Sequence, residues 1–327
     1  VPPPPSLRSA RPSERWVVRA RQPDGSATDH VGWVVAVDDE AVRLDGSVDP
    51  VSGVATASWR VPLADVVVAR QAPPARGGPD PARTPAAALE HASAEAWAVD
   101  VEPLGDWLLR SASGFTGRAN SCLAVGDPGV PLPEAAARVE AYAAAHRIAP
   151  LAQVVTGSTE DAALQDLGWG ETYVATDVLA MRLADLLGDH GPQPTVRVGE
   201  ELDPGWRAAF DAYRPNDADP AVVTRLLDGR RPRAFGSVER DGEVVAVGRG
   251  HLARGWLGVA ALWTHPDQRR QGLATAVMRG LGHWAARRDA RWVYLQVDAR
   301  NEAAHAAYER LGFRLHHRYR YLAPPER

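Results

Sequence analysis

The strongest constraint on the fold of this chain is an order of patterns that occurs twice. From about 195 to 323 the sequence runs from the strand-like "TVRV" to the helical "DPGWRAAFDAY" and "PAVVTRLLD". A hairpin follows, turning at Asp241-Gly242, and then the strand "WLGVAALWT", a helix over 272–287 and the strand "RWVYLQV". The helix "NEAAHAAYERLGF" and the strand "HHRYRYLA" complete the block. From 86 to 187 the order is similar: the helix "PAAALEHASAEAW", strand-like runs around Trp107 and Cys122, and the helix "LPEAAARVEAYAAAHR". The strand "LAQVV", the short helix "TEDAALQDLGW" and the strand "YVATDVLAMRL" follow. In the longer helix Leu132, Ala135, Val139, Tyr142 and His146 fall on one stripe, the mark of a face packed on a sheet. "LQDLGW" (164 to 169) falls on "YERLGF" (308 to 313), and the helix 132–146 on the helix 272–287. The expected fold class is α+β, with two related mixed α/β sheets in tandem.

Ahead of the repeat, residues 14 to 71 hold five short β-branched runs, with Asp24-Gly25 and Asp45-Gly46 at turns. Such runs predict a small β-barrel of SH3-like type. Trp16, Trp33 and Trp59 are either its core or a peptide- or cation-binding surface. Residues 1 to 13 are expected to be a flexible lead-in, and 72 to 85, rich in proline, a linker.

Length and charge exclude more than they select. The 327 residues are 45% hydrophobic and 24% charged, with net charge −4, so the chain is of soluble globular type and has no global electrostatic reason to bind nucleic acid or an anionic membrane. No apolar run approaches the ~18 residues of a membrane span. Cys122 is the only cysteine, which excludes an internal disulfide and a multi-cysteine zinc site and fits a reducing cytoplasm. Every basic residue is arginine; with abundant alanine, glycine and proline, this is the composition of a GC-rich bacterial genome.

The stretch "HPDQRRQGLATAVMRGLGHW" (265 to 284) joins a strand to a helix through two arginines and a glycine. Unpaired N–H groups and the positive end of the dipole make a helix start an anion site. Gly272 and Ala274 are small enough to let a pyrophosphate reach the main chain, Arg269 and Arg270 add charge, and Thr275 offers a hydroxyl. No Gly-Lys-Ser/Thr follows and no G-x-G-x-x-G occurs, which steers the ligand away from nucleoside triphosphates and nicotinamide dinucleotides. Taken alone, the turn is equally well a surface turn with solvated arginines. A second feature adds to it. Asn301 stands at a helix N-cap after "VYLQV", and Tyr308, seven residues on, projects from the same face as Asn301 and Ala304. A right-handed crossover brings both helix starts to one edge of the sheet.

These two motifs together resemble the GCN5-related N-acetyltransferases. "RRQGLA" fits that family's Arg/Gln-x-x-Gly-x-Gly/Ala signature, and "NEAAHAAYERLGF" is similar to its second. The resemblance covers 195 to 323. It implies acetyl-CoA as co-substrate, lying in a splayed gap between two parallel strands and needing no metal. Main-chain groups of Leu262, Trp263 and Thr264 would pair with the pantetheine arm. Amides from Arg270 through Gln271, Gly272, Leu273 and Ala274 to Thr275, with Arg269 beside them, would hold the pyrophosphate. Asn301 would contact the arm, and Tyr308 would sit by the sulfur as general acid. The chemistry is consistent: an oxyanion needs a main-chain donor near Trp263 or Thr264, and a leaving thiolate needs a proton that a phenol can give. The strand "WLGVAALWT" lacks the glutamate that some members place there. Asp298, His251 and His265 are candidate bases, and none is assigned.

Block 86 to 187 reads as a degenerate copy. Leu164 stands at the Tyr308 position, and the turn "GDPGVPLPEAA" has no arginine and several prolines, so no acetyl-CoA is expected there. Its expected role is a wall of the substrate site or a support for the other half. Tandem halves behind a small barrel resemble an actinobacterial group described as histone-acetyltransferase-like with an SH3-type domain. The acceptor implied is a primary amine on a protein lysine, a protein amino terminus or a small molecule, with a slight lean toward a protein or peptide because of the barrel. Rival readings are a small-molecule acetyltransferase of mycothiol-synthase type and a non-catalytic acetyl-CoA-binding adaptor. In "HHRYRY" neighbouring histidines on a strand point to opposite faces, which makes them poor co-ligands for a metal.

Overall fold

The structure, a computed structural model, describes residues 5–12, 14–49, 52–97, 100–188, 193–215 and 218–326. Part of the lead-in and most of the "GDHGPQP" boundary lie outside them. The amino-terminal unit comprises α1 (Pro5–Arg8), β1 (Arg15–Arg21), β2 (Ala27–Val37), β3 (Ala41–Asp45), β4 (Ser58–Pro62) and β5 (Val66–Gln71). Its strands form one antiparallel sheet in the order β4-β3-β2-β1-β5. Among the described residues no ladder joins β4 to β5, so the barrel expected from the sequence is an open, curled sheet. Trp16, Val18, Val34, Val42, Leu44 and Val61 fill its core. Leu7 belongs to that core and is fully buried. This part of the lead-in is therefore packed rather than free, because an open sheet exposes core that a nearby apolar side chain can cover. Trp16 and Trp33 are buried, and Trp59 packs partly on the same core. Trp33 carries the guanidinium of Arg15 at 5.5 Å from its ring centre, so Trp16 and Trp33 serve the core while Trp59 stays half-buried beside His30.

The linker is also packed. Ala75 is buried in the core of the last domain, Trp292 Nε1 donates to Pro79 O at 2.9 Å, and Arg182 Nε donates to Gly78 O at 3.1 Å. Its prolines and glycines leave carbonyls unpaired locally, and these are taken by side chains of the domain behind it.

The first half of the repeat holds α2 (Ala86–Ala94), β6 (Asp100–Leu104), β7 (Trp107–Ser111), β8 (Cys122–Leu123), α3 (Leu132–His146) and β9 (Ala152–Val155). It continues with α4 (Thr159–Asp166), β10 (Gly170–Glu171), β11 (Thr176–Arg182) and α5 (Leu183–Leu186). The second half holds β12 (Arg197–Gly199), α6 (Pro204–Tyr213), α7 (Pro220–Asp228), β13 (Arg233–Arg240), β14 (Glu243–Ala253) and β15 (Trp256–Thr264). It ends with α8 (Leu273–Ala286), β16 (Trp292–Asp298), α9 (Glu302–Arg310) and β17 (Arg314–Ala323).

The two sheets expected from the repeat are one. The order is β12-β13-β14-β15-β16-β11-β17-β9-β8-β7-β6, with β10 beside β17. Each half has given its last strand to the other. β11, from the first half, pairs with β16 from Thr176↔Asp298 to Arg182↔Trp292; β17, from the second, pairs with β9 from Tyr319↔Val155 to Leu322↔Ala152. β11 and β17 pair with each other and close the seam. Charge pairs cross it: Arg318 holds Asp177 with bonds of 2.6 and 3.0 Å, and Arg320 holds the buried Asp161 with bonds of 3.0 and 2.9 Å. The arginines of "HHRYRY" thus fasten the exchanged strand. The two histidines do not simply alternate. His317 pairs with Val178 and Leu315 with Leu179, so His316 is the extra residue of a bulge, and the rings meet at 2.7 Å between Nδ1 atoms.

Helix α8 packs on β13 and β14 over glycines. A Cβ at Gly248 would stand 2.8 Å from Val277 Cγ1, so the helix lies close to the sheet only because that position has no side chain. The amino-terminal unit docks at the far end of α8: Val48 N–H donates to Arg287 O at 2.6 Å, and Asp45 lies 3.8 Å from the Arg287 guanidinium. Among the described residues no helix is long and apolar enough to cross a membrane.

Candidate functional site

β15 and β16 run parallel and pair from Trp256↔Trp292 to Val259↔Leu295. Beyond Val259 they part. β16 continues along β11 to Asp298, while β15 stays with β14, through Arg249↔Ala260, Val247↔Trp263 and Ala246↔Thr264. The result is a wedge between the two strands, open at their carboxyl ends. One residue of β14 separates the first two of those pairs and two residues of β15 do, so β15 carries a bulge there. Ala261, inside it, sits at φ +51°, a conformation costly for alanine that bulges near working sites tolerate. His265 N–H donates to Val245 O at 2.8 Å. By alternation, Trp263 N–H also faces β14 and Thr264 N–H faces the wedge. Of the two donors considered from the sequence, Thr264 is the one aimed at the opening. Its Oγ1 is buried without a partner among the described residues.

The turn after β15 leads into α8, whose N-cap is Gly272 at φ +75° with no side-chain cap. Nothing lies within 4 Å of where a Cβ of Gly272 would be. The space over the helix start is clear, and a side chain there would be both strained and in the way. Arg270 is also left-handed, at φ +62°. Among the described residues no protein acceptor takes the amides of Arg270, Gln271, Gly272, Leu273, Ala274 or Thr275. These successive N–H groups, at the positive end of a 14-residue helix, are what an anion requires. Arg269 and Arg270 are exposed and, among the described residues, pair with no carboxylate; Arg269 Nε donates to Thr264 O at 3.3 Å. Gln271 is tied by its side chain to Gln268 and Arg240.

On the other side of the wedge, Asn301 caps α9 by accepting from Ala304 N–H at 3.1 Å, leaving its amide nitrogen toward solvent. Tyr308 is half-buried against the main core, as are Leu262 and Ala304, and its ring meets Phe313 edge-on at 5.9 Å. Burial, and next the neighbouring phenol of Tyr213, hold the Tyr308 hydroxyl above the ordinary tyrosine range. Tyr213, at the end of α6, lies 6.0 Å from the Trp263 ring, and Trp263 lies 5.9 Å from His265. Tyr213 had no sequence signal beyond an aromatic at a helix end; it now joins Trp263 and Tyr308 at the mouth.

None of the three candidate bases is well placed. His251 is buried and its pKa is pushed down to about 3, by burial and then by Arg249 and Arg230. It lies opposite Gly258, at the closed end of the wedge. Asp298 accepts from Arg300 N–H at 2.8 Å as a turn residue. His265 is exposed and its Nδ1 faces Asp267 N–H at 3.3 Å. Among the described residues no group of three or more His, Cys, Asp or Glu could hold a metal ion.

The matching turn in the first half is satisfied internally. Gly126 N–H donates to Glu160 at 2.9 Å, Asp127 N–H to Asp106 at 3.0 Å, and Gly129 N–H to Asp127 at 2.8 Å. At the positions matching Arg270 to Thr275, Pro131 and Pro133 have no N–H, and the amides of Glu134 and Ala135 donate to Pro131 O at 2.9 and 3.0 Å, which leaves little for a phosphate. Leu164, at the Tyr308 position, is fully buried. The first half also contributes Trp97, Ala112, Phe115 and Ala119 to the core under α6 and α7, against which Trp263 packs. A cleft of about 160 Å³ beneath the linker, lined by Asp80, Arg182, Arg314 and His316 among others, is a packing seam. Its polar groups bond main-chain carbonyls: Arg182 to Gly78, Arg314 to Phe313 and His316 to Pro81.

The chain is similar to known proteins. Residues 86–322 match the family described as "Probable histone acetyltransferase Rv0428c C-terminal". The chain is 30% identical over 338 aligned positions to the probable histone acetyltransferase Rv0428c of Mycobacterium tuberculosis, covering 94% of each. Its fold is similar to that of a GCN5-related N-acetyltransferase from Kribbella flavida, with TM-score 0.52, 20% identity, and coverage of 75% of this chain and 97% of that one. The chain therefore belongs to the Rv0428c family of GCN5-related N-acetyltransferases.

Proposed function

We propose that the second half transfers an acetyl group from acetyl-CoA to a primary amine, with Tyr308 as the general acid. The observation that carries this is the run of unpartnered amides from Arg270 to Thr275 at the mouth of a wedge whose opposite wall bears the Tyr308 phenol. The residues fit the ligand: the amides and Arg269 and Arg270 would hold its diphosphate, and the unpaired edge of β15 at Leu262 and Thr264 would hold its arm. Acetyl-CoA supplies the acetyl group in activated form, as a thioester. The chain supplies position and protons. Thr264 N–H stabilises the oxygen on which charge develops, and Tyr308 passes its Oη proton to the departing sulfur. With no carboxylate assigned as base, the proton of the acceptor ammonium goes to solvent.

For the acceptor we propose a lysine side chain on a protein, a reading supported by the name of the Mycobacterium tuberculosis relative. The amino-terminal sheet adds no support, since it docks at the opposite end of α8 from the turn. The test is thiol release from acetyl-CoA with lysine peptides, polyamines and antibiotic amines in parallel. Lysine peptides should be acetylated fastest, and Tyr308→Phe should abolish most of the turnover. Turnover confined to small amines would overturn the acceptor assignment; none with any amine would overturn the activity.

A further inference from the structure

Three basic side chains lie together on the face of β13 and β14 that turns away from α8. Arg233, Arg249 and His251 keep 2%, 1% and 3% of their surface. Arg233 and His251 are directly opposed across the ladder. Leu252 N–H donates to Pro232 O at 3.0 Å, so the neighbouring Arg233/His251 position is a non-hydrogen-bonded pair, where opposed side chains are closest.

The end of α7 accounts for part of this charge and not the rest. Arg249 Nε donates to Leu227 O at 2.8 Å and Nη2 to Ala96 O at 3.2 Å, while its guanidinium lies over Trp97. Arg233 reaches Asp228 through Nη2, and Glu201 approaches the same nitrogen at 3.9 Å. The other two nitrogens of Arg233, Nε and Nη1, and Nδ1 of His251, are buried with no acceptor among the described residues. Arg110, a comparably buried arginine of the first half, has Nε and Nη2 on Ser121 and Gln153 and leaves no orphan. Unpaired donors of a buried cation are among the least favourable arrangements an interior can hold.

We infer that Arg233 and His251 hold a small monovalent inorganic anion, of the size and charge of chloride, beneath the end of α7. Two buried, directly opposed side chains with three unused donor positions supply the contacts. The burial of both side chains limits the size, since Arg233 and His251 keep only 2% and 3% of their surface and an organic anion would have to open the packing. Burial and then Arg233 bring Arg249 down to about 10, against the opposing pull of Tyr294 and Asp228, and Arg249 and Arg230 act with burial on His251. His251 is neutral and offers Nδ1–H as a donor in the matching tautomer.

The experiment is thermal unfolding of the full chain in sodium chloride and in sodium gluconate at equal ionic strength. Chloride should raise Tm by about 2 °C in a saturable way, and His251→Phe and Arg233→Gln should each lose that rise. Crystals of the unaltered protein in bromide should show an anomalous peak between Arg233 and His251. Should Arg233→Gln not fold, His251→Phe and the bromide peak decide. Equal Tm in the two salts, a chloride effect that survives in the variants, or bromide only at the surface would overturn the site.

Discussion

Tyr308 acts, in this account, only while protonated. Removing its hydroxyl by Tyr308→Phe should lower kcat about 100-fold and leave acetyl-CoA affinity, measured by calorimetry, unchanged. A general acid is lost as pH rises through its pKa, and burial and Tyr213 hold this one above the usual ~10. The alkaline limb of the kcat profile should therefore lie above pH ~10, and Tyr213→Phe should move it down. Gly272→Leu should weaken acetyl-CoA binding, because the side chain enters the anion's space at φ +75°. His251 binds a proton less readily folded, at about 3, than unfolded, at ~6.5. Below pH ~6.5 the unfolded chain takes up more protons, so stability falls progressively toward pH 3; His251→Phe should flatten that part of an acid unfolding curve. Gly272 and Tyr308 stood out in the sequence because a tight turn and a helix face have short-range signatures. The bulge at Ala261 and the approach of Tyr213 to Trp263 did not. Alanine carries no preference for a left-handed bulge, and contacts between α6 and β15 join residues about fifty apart.

At the level of elements, the sequence shows which segments are strands and helices far better than which strands pair. The order of patterns in 86 to 187 and 195 to 323 was readable from periodicity alone. The exchange of β11 and β17 was not, since a last strand pairs equally well with either parallel edge and the choice lies in contacts such as Arg320 with Asp161. Asp161 is buried, and removing its partner would strand a charge. Arg320→Met should cost about 3 kcal/mol in denaturant unfolding, whereas Asp161→Asn combined with it should recover part of that loss. Glu160→Ala should destabilise the first half by about 1–3 kcal/mol by freeing Gly126 N–H, without creating an acetyl-CoA site, since the prolines of that turn still withhold donors.

For the whole molecule, strand exchange makes the halves interdependent. Residues 84–188 and 193–326 expressed separately should each fail to fold, and the intact repeat should unfold in one cooperative transition by calorimetry. The amino-terminal sheet sits at the carboxyl end of α8, roughly 20 Å along the helix from the turn. A chain lacking residues 1–71 should keep acetyl-CoA affinity close to that of the intact protein. The central claim is that one half grips the co-substrate and the other, with Pro131 and Pro133 at the same helix start, lacks the amides to do so. A crystal structure with CoA tests it most directly. It should show the diphosphate on the amides of Arg270 to Thr275 and the sulfur beside the Tyr308 hydroxyl; a diphosphate lodged at the start of α3 in the first half would contradict it.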